Sequence, residues 1–345
     1  MFRSMANPTL MESEARETPA VAARLAADGS PALLQLGARL RAIAPRLVLA
    51  AGRGSSDAAA LLAKYVIETR LNLPTVSVAP SVHSIYGAQL QLERALVLAI
   101  SQSGRSPDLV EFCRTATGPD VLRVAMVNDT TSPLTNAVDV TLPLMAGPET
   151  SVAATKSCIA AMTLVLGLTA HWRQDNAMIS AFNRAGGVLG QALQSDWSHA
   201  ADFLDGDGPV YVVGRGPGLA IAAEAALKLK ETSGLHAESI SSAEIRHGPY
   251  ALAGPDLRAI IFAQRDAAFF GLKSLAADLS QRGTSVLLIS PDTTLPGAHI
   301  PADDEPVLEL ISMLLRFYLF ANDAALRRGR SPDRPPMLSK ITETR

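Results

Sequence analysis

Disulfide chemistry is close to absent from this sequence, whose 345 residues include only two cysteines, Cys113 and Cys158. Two thiols cannot build a disulfide framework, and such sparing use fits a reducing compartment, so a cytoplasmic protein is expected. A surplus of either charge is also lacking. Lys and Arg number 31 against 33 Asp and Glu, a formal net charge of -2. That balance removes the main electrostatic reason to expect nucleic-acid binding, and it argues against a basic membrane-surface protein. Charged residues make up 19% of the chain, below the ~25% of an average soluble protein, while apolar residues reach 48%. Even so, no run suits a membrane span. The most apolar stretch, 157–172, has sixteen residues without Asp, Glu, Lys or Arg. A spanning helix wants about 20 mostly apolar residues, and this stretch contains Ser157, Thr163, Thr169 and His171, so a buried or interface helix is expected. Residues 1–20 carry Glu12, Glu14 and Glu17 without an apolar core, so no secretory signal is expected.

Metal and nucleotide signatures are missing as well. His83, His171, His199 and His299 are scattered without ligand spacing. His236-Ala-Glu238 matches the first part of a zinc-deaminase pattern, but both cysteines lie upstream of it. No metal is expected. Gly52-Arg-Gly54 and Gly214-Arg-Gly216 resemble the start of a dinucleotide fingerprint, yet Asp57 and Leu219 stand where its third glycine belongs. Each glycine of that fingerprint has its own job, so no nicotinamide or flavin is expected.

What is present is a repeat. The runs 46–54 and 209–216 are both apolar and both end in Gly-Arg-Gly. Each leads into an Ala/Leu-rich helical stretch, 56–71 and 219–235, then a short extended segment, 75–79 and 236–240. A third strand follows in each half, 95–101 and 258–263, with further strands expected at 121–128, 138–142 and 285–290. Short buried strands alternating with helices predict an α/β fold of two doubly wound parallel sheets in tandem. The length suits two domains of roughly 150–200 residues. A helical region over 151–204 is expected to link them, a last helix to cover 305–328, and a Pro-rich polar tail to follow.

In such sheets ligands sit at the carboxyl ends of the strands. After the third strand comes Ser101-Gln-Ser-Gly-Arg-Ser106, then Pro107, which suits the first turn of a helix. Hydroxyls, an amide and free backbone N–H groups then converge at a helix N-terminus, an arrangement that binds phosphate. The plain alternative is a polar loop with a serine cap. The matching segment of the second half, Ala263-Gln-Arg-Asp266, lacks those hydroxyls, so a division of labour is expected. Lys228 and Glu231 are neighbours on one helix face, either a base held ionised by a cation or an ordinary surface ion pair. His247-Gly-Pro249 offers either a general acid–base or a turn-capping histidine.

Taken together, Gly52-Arg-Gly-Ser-Ser56, Ser101-Gln-Ser-Gly104, Val152-Ala-Ala-Thr-Lys156, Ala225-Ala-Leu-Lys-Leu-Lys-Glu231 and His247-Gly-Pro249 resemble the signature set of tandem sugar isomerase (SIS) domains. The resemblance runs over nearly the whole chain, with a first domain at 33–172, a second at 200–330 and a tail at 331–345. By pattern it is nearest the isomerase half of glutamine–fructose-6-phosphate transaminase and the SIS-type glucosamine-6-phosphate deaminases. The resemblance implies that Ser55, Ser56, Ser101, Gln102, Ser103 and Ser106 bind a sugar phosphate. It implies that Glu231 moves a proton between C1 and C2 beside Lys228, and that His247, donated by the neighbouring subunit, opens the ring. It also implies that Lys340 closes over the sugar and that Val152 and Ser339 contact it. Arg105 and Ser106 depart from the transaminase, which tends to carry Glu and Thr there.

The expected protein is a homodimeric glucosamine-6-phosphate deaminase without cofactor. Its expected ligand is a small amino-sugar phosphate, with neither nucleic acid nor membrane as a partner. The alternatives are a fructosamine-6-phosphate deglycase, another sugar-phosphate isomerase, or a sensor that binds without turnover. Fold alone cannot choose among them. The acid–base set argues against a sensor, and the C-terminal Pro335-to-Lys340 pattern follows the glucosamine-handling branch. The chain opens with Met1-Phe-Arg rather than a nucleophilic cysteine, and two SIS halves leave no room for a glutamine-hydrolysing domain, so the ammonia-releasing direction is expected.

Overall fold

The structure is a computed structural model that describes residues 7–340; the expected tail therefore reaches beyond it at 341–345. The chain begins with α1 (Leu10–Ile43), whose N-cap Thr9 accepts a hydrogen bond from the Glu12 N–H. Its buried stripe includes Met11, Ala15, Leu25, Leu33 and Leu40. The expected start of the first domain at residue 33 falls inside this helix. Where α1 crosses the fifth helix, Gly37 allows close approach, since a Cβ there would lie 2.8 Å from the His171 carbonyl oxygen.

The first sheet is built from β1 (Leu47–Ala51), β2 (Thr75–Ser77), β3 (Ala95–Ser101), β4 (Leu122–Val127) and β5 (Val140–Pro143). Its order is β2-β1-β3-β4-β5, with every pairing parallel. Between the strands run α2 (Ser55–Leu71), the short α3 (Ser81–Ser84) and α4 (Pro107–Thr115). All of β3 is buried, as a central parallel strand covered on both faces must be. Each Val, Leu or Ile so buried contributes about 1.5–3 kcal/mol.

The linking region is not one helical stretch. It divides into α5 (Lys156–Arg173), α6 (Asn176–Ala192) and a 3-10 segment, Ser198–Leu204. Gln174 takes a left-handed conformation that ends α5, and the Asp175 carboxylate then caps α6 by accepting from Ala177 and Met178. The apolar stretch 157–172 forms α5 and is buried against α1, α2, α6 and the last helix. No helix among the described residues is long and apolar enough to cross a membrane.

The second sheet comprises β6 (Val210–Gly214), β7 (Ala237–Ser241), β8 (Arg258–Phe262), β9 (Ser285–Ser290) and β10 (Ala298–His299). With it are α7 (Gly218–Lys228), α8 (Phe269–Gln281) and α9 (Pro306–Arg327). Its order, β10-β9-β8-β6-β7, is the order of the first sheet read from the other edge. The repeat in the sequence is thus a repeat of topology, the 2-1-3-4-5 doubly wound order. The expected helix over 219–235 is interrupted: α7 stops at Lys228 and continues as a π-helical turn, Leu229–Ser233, closed by Gly234 at φ 62°. The Thr232 hydroxyl donates to the Lys228 carbonyl at 2.8 Å within that turn. Single π turns of this kind are frequent at functional sites.

Candidate active site

In both sheets the strand order reverses between the first and third strands, and that is where a doubly wound fold opens a crevice. In the first half the loops after β1 and β3 line a cleft of about 370 Å³. Gly54 and Ser106 are the N-caps of α2 and α4, and neither helix has a side-chain cap. Both helix starts line the cleft; within them the Ser56 N–H donates to the Arg53 carbonyl at 3.1 Å and the Leu109 N–H to Asp108 Oδ1 at 2.8 Å. The Ser101 hydroxyl accepts from the Gly104 N–H at 2.9 Å, and Ser103 accepts from the Arg105 N–H at 3.3 Å. Gly104 lies at φ +63°, and a Cβ there would sit 2.0 Å from the Ser132 hydroxyl, so the loop needs glycine at this point. Ser55, Ser56, Ser101, Gln102, Ser103 and Ser106 all line the cleft, as the sequence reading expects.

The second half reaches the same cleft through α7, which packs on α2. Lys228 is fully buried, so the surface-ion-pair alternative is excluded. Its ammonium donates to Glu231 Oε2 at 2.5 Å and to the Ser55 hydroxyl at 3.0 Å, and it lies 3.3 Å from Glu224 Oε1. The Tyr318 hydroxyl donates to Glu224 at 2.9 Å. Burial alone would lower the Lys228 pKa, but the Glu224 and Glu231 carboxylates outweigh it and hold the lysine above its ordinary value. Burial pushes the Glu224 carboxyl up to about 7, against the pull of Lys228. Of the two carboxylates, Glu231 faces the cleft and Glu224 is sealed behind it. Cys158 also touches the cleft; burial and Glu224 drive its thiol well up, which makes it a poor nucleophile.

The tail supplies the third wall, with Leu338, Ser339 and Lys340. The Lys340 ammonium donates to the Ser151 carbonyl at 2.6 Å and to Glu149 Oε2 at 3.3 Å. Burial would raise the Glu149 pKa, but the Lys340 charge and bonds from Ser157 and Thr155 outweigh it and hold the carboxyl low. The tail is anchored upstream by Asp333. Its carboxylate accepts from the Leu10 and Met11 N–H groups at 2.8 Å, and its carbonyl accepts from Val152 at 3.3 Å. Val152 lines the cleft. His247 is the one expected site residue that this chain does not bring there; it lies on an exposed loop after the short 3-10 turn Glu244–Arg246.

The corresponding crevice of the second half is filled by its own side chains. Gln264 is fully buried, and its amide donates to the Arg215 carbonyl at 3.2 Å and to Asp266 at 2.9 Å. Asp266 in turn accepts from the Ala268 N–H at 2.8 Å, at the start of α8.

Sequence reasoning assigned no role to Glu224, Glu149 or Arg53, which also lines the cleft. Glu224 was legible in principle, because four and seven residues before Lys228 and Glu231 respectively place it near one helix face. Glu149 and Arg53 sit in loops, where spacing carries no such signal.

The SIS domain family model matches residues 44–170 and 206–314 of this sequence. The chain is 34% identical over 330 residues to an isomerizing glutamine–fructose-6-phosphate aminotransferase of Aeropyrum pernix, covering 90% of this chain and 53% of that protein. It spans about half the length of the curated relatives it matches. A crystal structure of a candidate phosphosugar isomerase from Silicibacter pomeroyi DSS-3 superposes with a TM-score of 0.88 at 36% identity, covering 94% of this chain and 100% of that one. Glucosamine-6-phosphate deaminase from Thermotoga maritima shares the fold, with a TM-score of 0.72 at 20% identity over 94% of this chain and 100% of that one. With both halves matched in sequence and both sheets wound in the same order, the chain belongs to the SIS domain family.

Proposed function

We propose that this chain converts glucosamine 6-phosphate to fructose 6-phosphate and ammonia by an aldose–ketose proton transfer. The observation that carries the reading is the buried Lys228, which holds the cleft-facing Glu231 on one side and the phosphate-loop residue Ser55 on the other. A base is thereby fixed relative to an anion site, as a C1/C2 proton transfer on a 6-phosphate requires.

In this reading the serine loop and the two helix N-termini hold the phosphate. His247 of a second copy assists ring opening to the aldehyde. Glu231 removes the C2 proton, which the adjacent C1 carbonyl acidifies, and the electron pair moves toward the C1 oxygen. The resulting C1–C2 enolamine takes the proton back at C1, a proton passes from the nitrogen to the C1 oxygen, and a ketimine forms at C2. Water adds to C2, the C–N bond breaks, and ammonia leaves. Lys228, held as an ammonium, fixes the Glu231 carboxyl in place through a 2.5 Å hydrogen bond. Binding at the remote phosphate orients the reacting carbons.

The deaminase choice is supported by the tail, whose Pro335-to-Lys340 pattern resembles the glucosamine-handling branch and whose Lys340 stands in the cleft. The Aeropyrum relative is named for an isomerizing amination of fructose 6-phosphate, the same bond formed in the opposite sense. A second reading, isomerisation of a sugar phosphate without nitrogen release, is favoured by the name of the Silicibacter relative. An assay of glucosamine 6-phosphate for ammonia and fructose 6-phosphate separates them. The deaminase reading expects both products in equal amounts; aldose–ketose interconversion of neutral sugar phosphates without ammonia from glucosamine 6-phosphate would reject it.

A further inference from the structure

We propose that Arg53 is a phosphate-binding residue of this cleft and that Asp108 positions it, a proposal that rests on the sugar-phosphate reading above. Arg53 stands in the loop after β1, one residue before the N-cap of α2, and lines the cleft together with Ser103 and Ser106. Asp108 lies in the first turn of α4. The guanidinium therefore sits between the starts of α2 and α4, both of which line the cleft. Its Nε donates to Asp108 Oδ2 at 2.9 Å, and Nη2 donates to the same oxygen. The Asp108 side chain is 1% exposed, whereas that of Arg53 stays 45% exposed. One edge of the guanidinium is spent on the buried carboxylate, and its hydrogen bonds to described residues go through Nε and Nη2 alone. The remaining Nη1 edge is free to serve the cleft.

The serine loop offers only neutral donors, and helix N-termini add partial charges. A sugar phosphate carries a charge of about −1.5 to −2 near neutral pH. A full cation at the same place adds a charge-assisted hydrogen bond, about twice as strong as a neutral one, and the flat guanidinium suits phosphate oxygens. Holding a long side chain in one pose costs entropy, and Asp108 meets that cost before any ligand arrives. The Asp108 carboxylate does not line the cleft, and its Oδ1 accepts from the Leu109 N–H at 2.8 Å. Because it is sealed beneath Arg53, the pair presents its positive end to the cleft.

A merely structural pair would neutralise Asp108 and nothing more. The two roles separate by calorimetric titration of glucitol 6-phosphate, which lacks a carbonyl to react, and of inorganic phosphate, at pH 5 and pH 8. Wild type binds more tightly at pH 8, because the second phosphate proton leaves near pH ~6. Arg53→Gln keeps an amide toward Asp108 but no charge. It weakens binding by about 10- to 100-fold at pH 8, the range of a charge-assisted bond, and flattens the pH dependence. Arg53→Lys keeps the cation without the fork; it weakens binding several-fold and keeps the pH dependence. Wild-type affinity in Arg53→Gln, or in Arg53→Lys should the former not melt cooperatively, overturns the assignment. If wild type itself binds neither probe, the sugar-phosphate reading falls and this proposal falls with it.

Discussion

Replacing Glu231 with Gln lowers kcat by about 10²- to 10⁴-fold, the worth of a positioned general base, and leaves KM for the sugar phosphate within a few-fold. The amide keeps the size of the side chain and a polar contact with the Lys228 ammonium, so the cleft keeps its shape. It cannot accept the C2 proton. The serine loop, proposed to hold the substrate by its far end, is untouched, so the loss is expected on the proton-transfer step and not on binding. Loss of the C2-deuterium isotope exchange with solvent, measured alongside product formation, reports that step directly. An enzyme that retains wild-type kcat with Gln at this position has its base elsewhere.

A Lys228→Met chain is expected to lose activity and about 3–5 kcal/mol of stability, because removing one partner of a buried ion pair strands the other. Here two carboxylates are stranded, Glu224 fully buried and Glu231 at the cleft. The pH dependence makes the test specific. Burial already pushes Glu224 to about 7 from an ordinary 4.5. Between those values the folded chain holds a proton that the unfolded chain releases, so its contribution to stability falls as pH rises through that window. Without the Lys228 charge to pull it down, Glu224 holds its proton still more strongly, so the fall continues to higher pH. Urea unfolding of both chains between pH 5 and pH 8 reads this as a gap between midpoints that widens with pH. Equal midpoints across the range would mean that Lys228 is not the charge that compensates this pair.

Much of the architecture could be read from the chain because a parallel strand covered on both faces must be apolar throughout. β3 and β9 begin and end where the residues suggest. Helix interiors were less transparent. Nothing in Leu229-Lys-Glu-Thr-Ser233 distinguishes an α from a π turn by periodicity, although the Thr232 hydroxyl bonds back to the Lys228 carbonyl within it. The linking region reads as helix throughout, yet left-handed Gln174 and the capping Asp175 break it between α5 and α6, and it ends in a separate 3-10 segment. At the site, hydroxyl-rich loops announce themselves by composition. Partners that meet through space do not: Lys228 reaches Ser55 across 173 positions of sequence, and Lys340 reaches Glu149 across 191. The Glu231–Lys228 pair was visible as a spacing, but its burial was not, because burial comes from α2 and α9 packing over it.

The self-filled crevice of the second half has a consequence for how the two halves respond to ligand. Gln264 and Asp266 bond there to the Arg215 carbonyl and the Ala268 N–H, and the proposed ligand site lies in the first half. Ligand linkage therefore acts on one copy of the fold and passes the other by: saturating sugar phosphate stabilises by RT ln(1 + [L]/Kd), and that gain lands on the loops after β1 and β3. Amide hydrogen exchange at 54–57 and 102–107 should slow on adding ligand, while exchange at 215–219 and 264–268 stays as it was. Equal slowing in both halves would mean that the duplicated crevices are not independent. On this view one repeat has become a clasp that is always shut, and the other a clasp that closes only on its cargo.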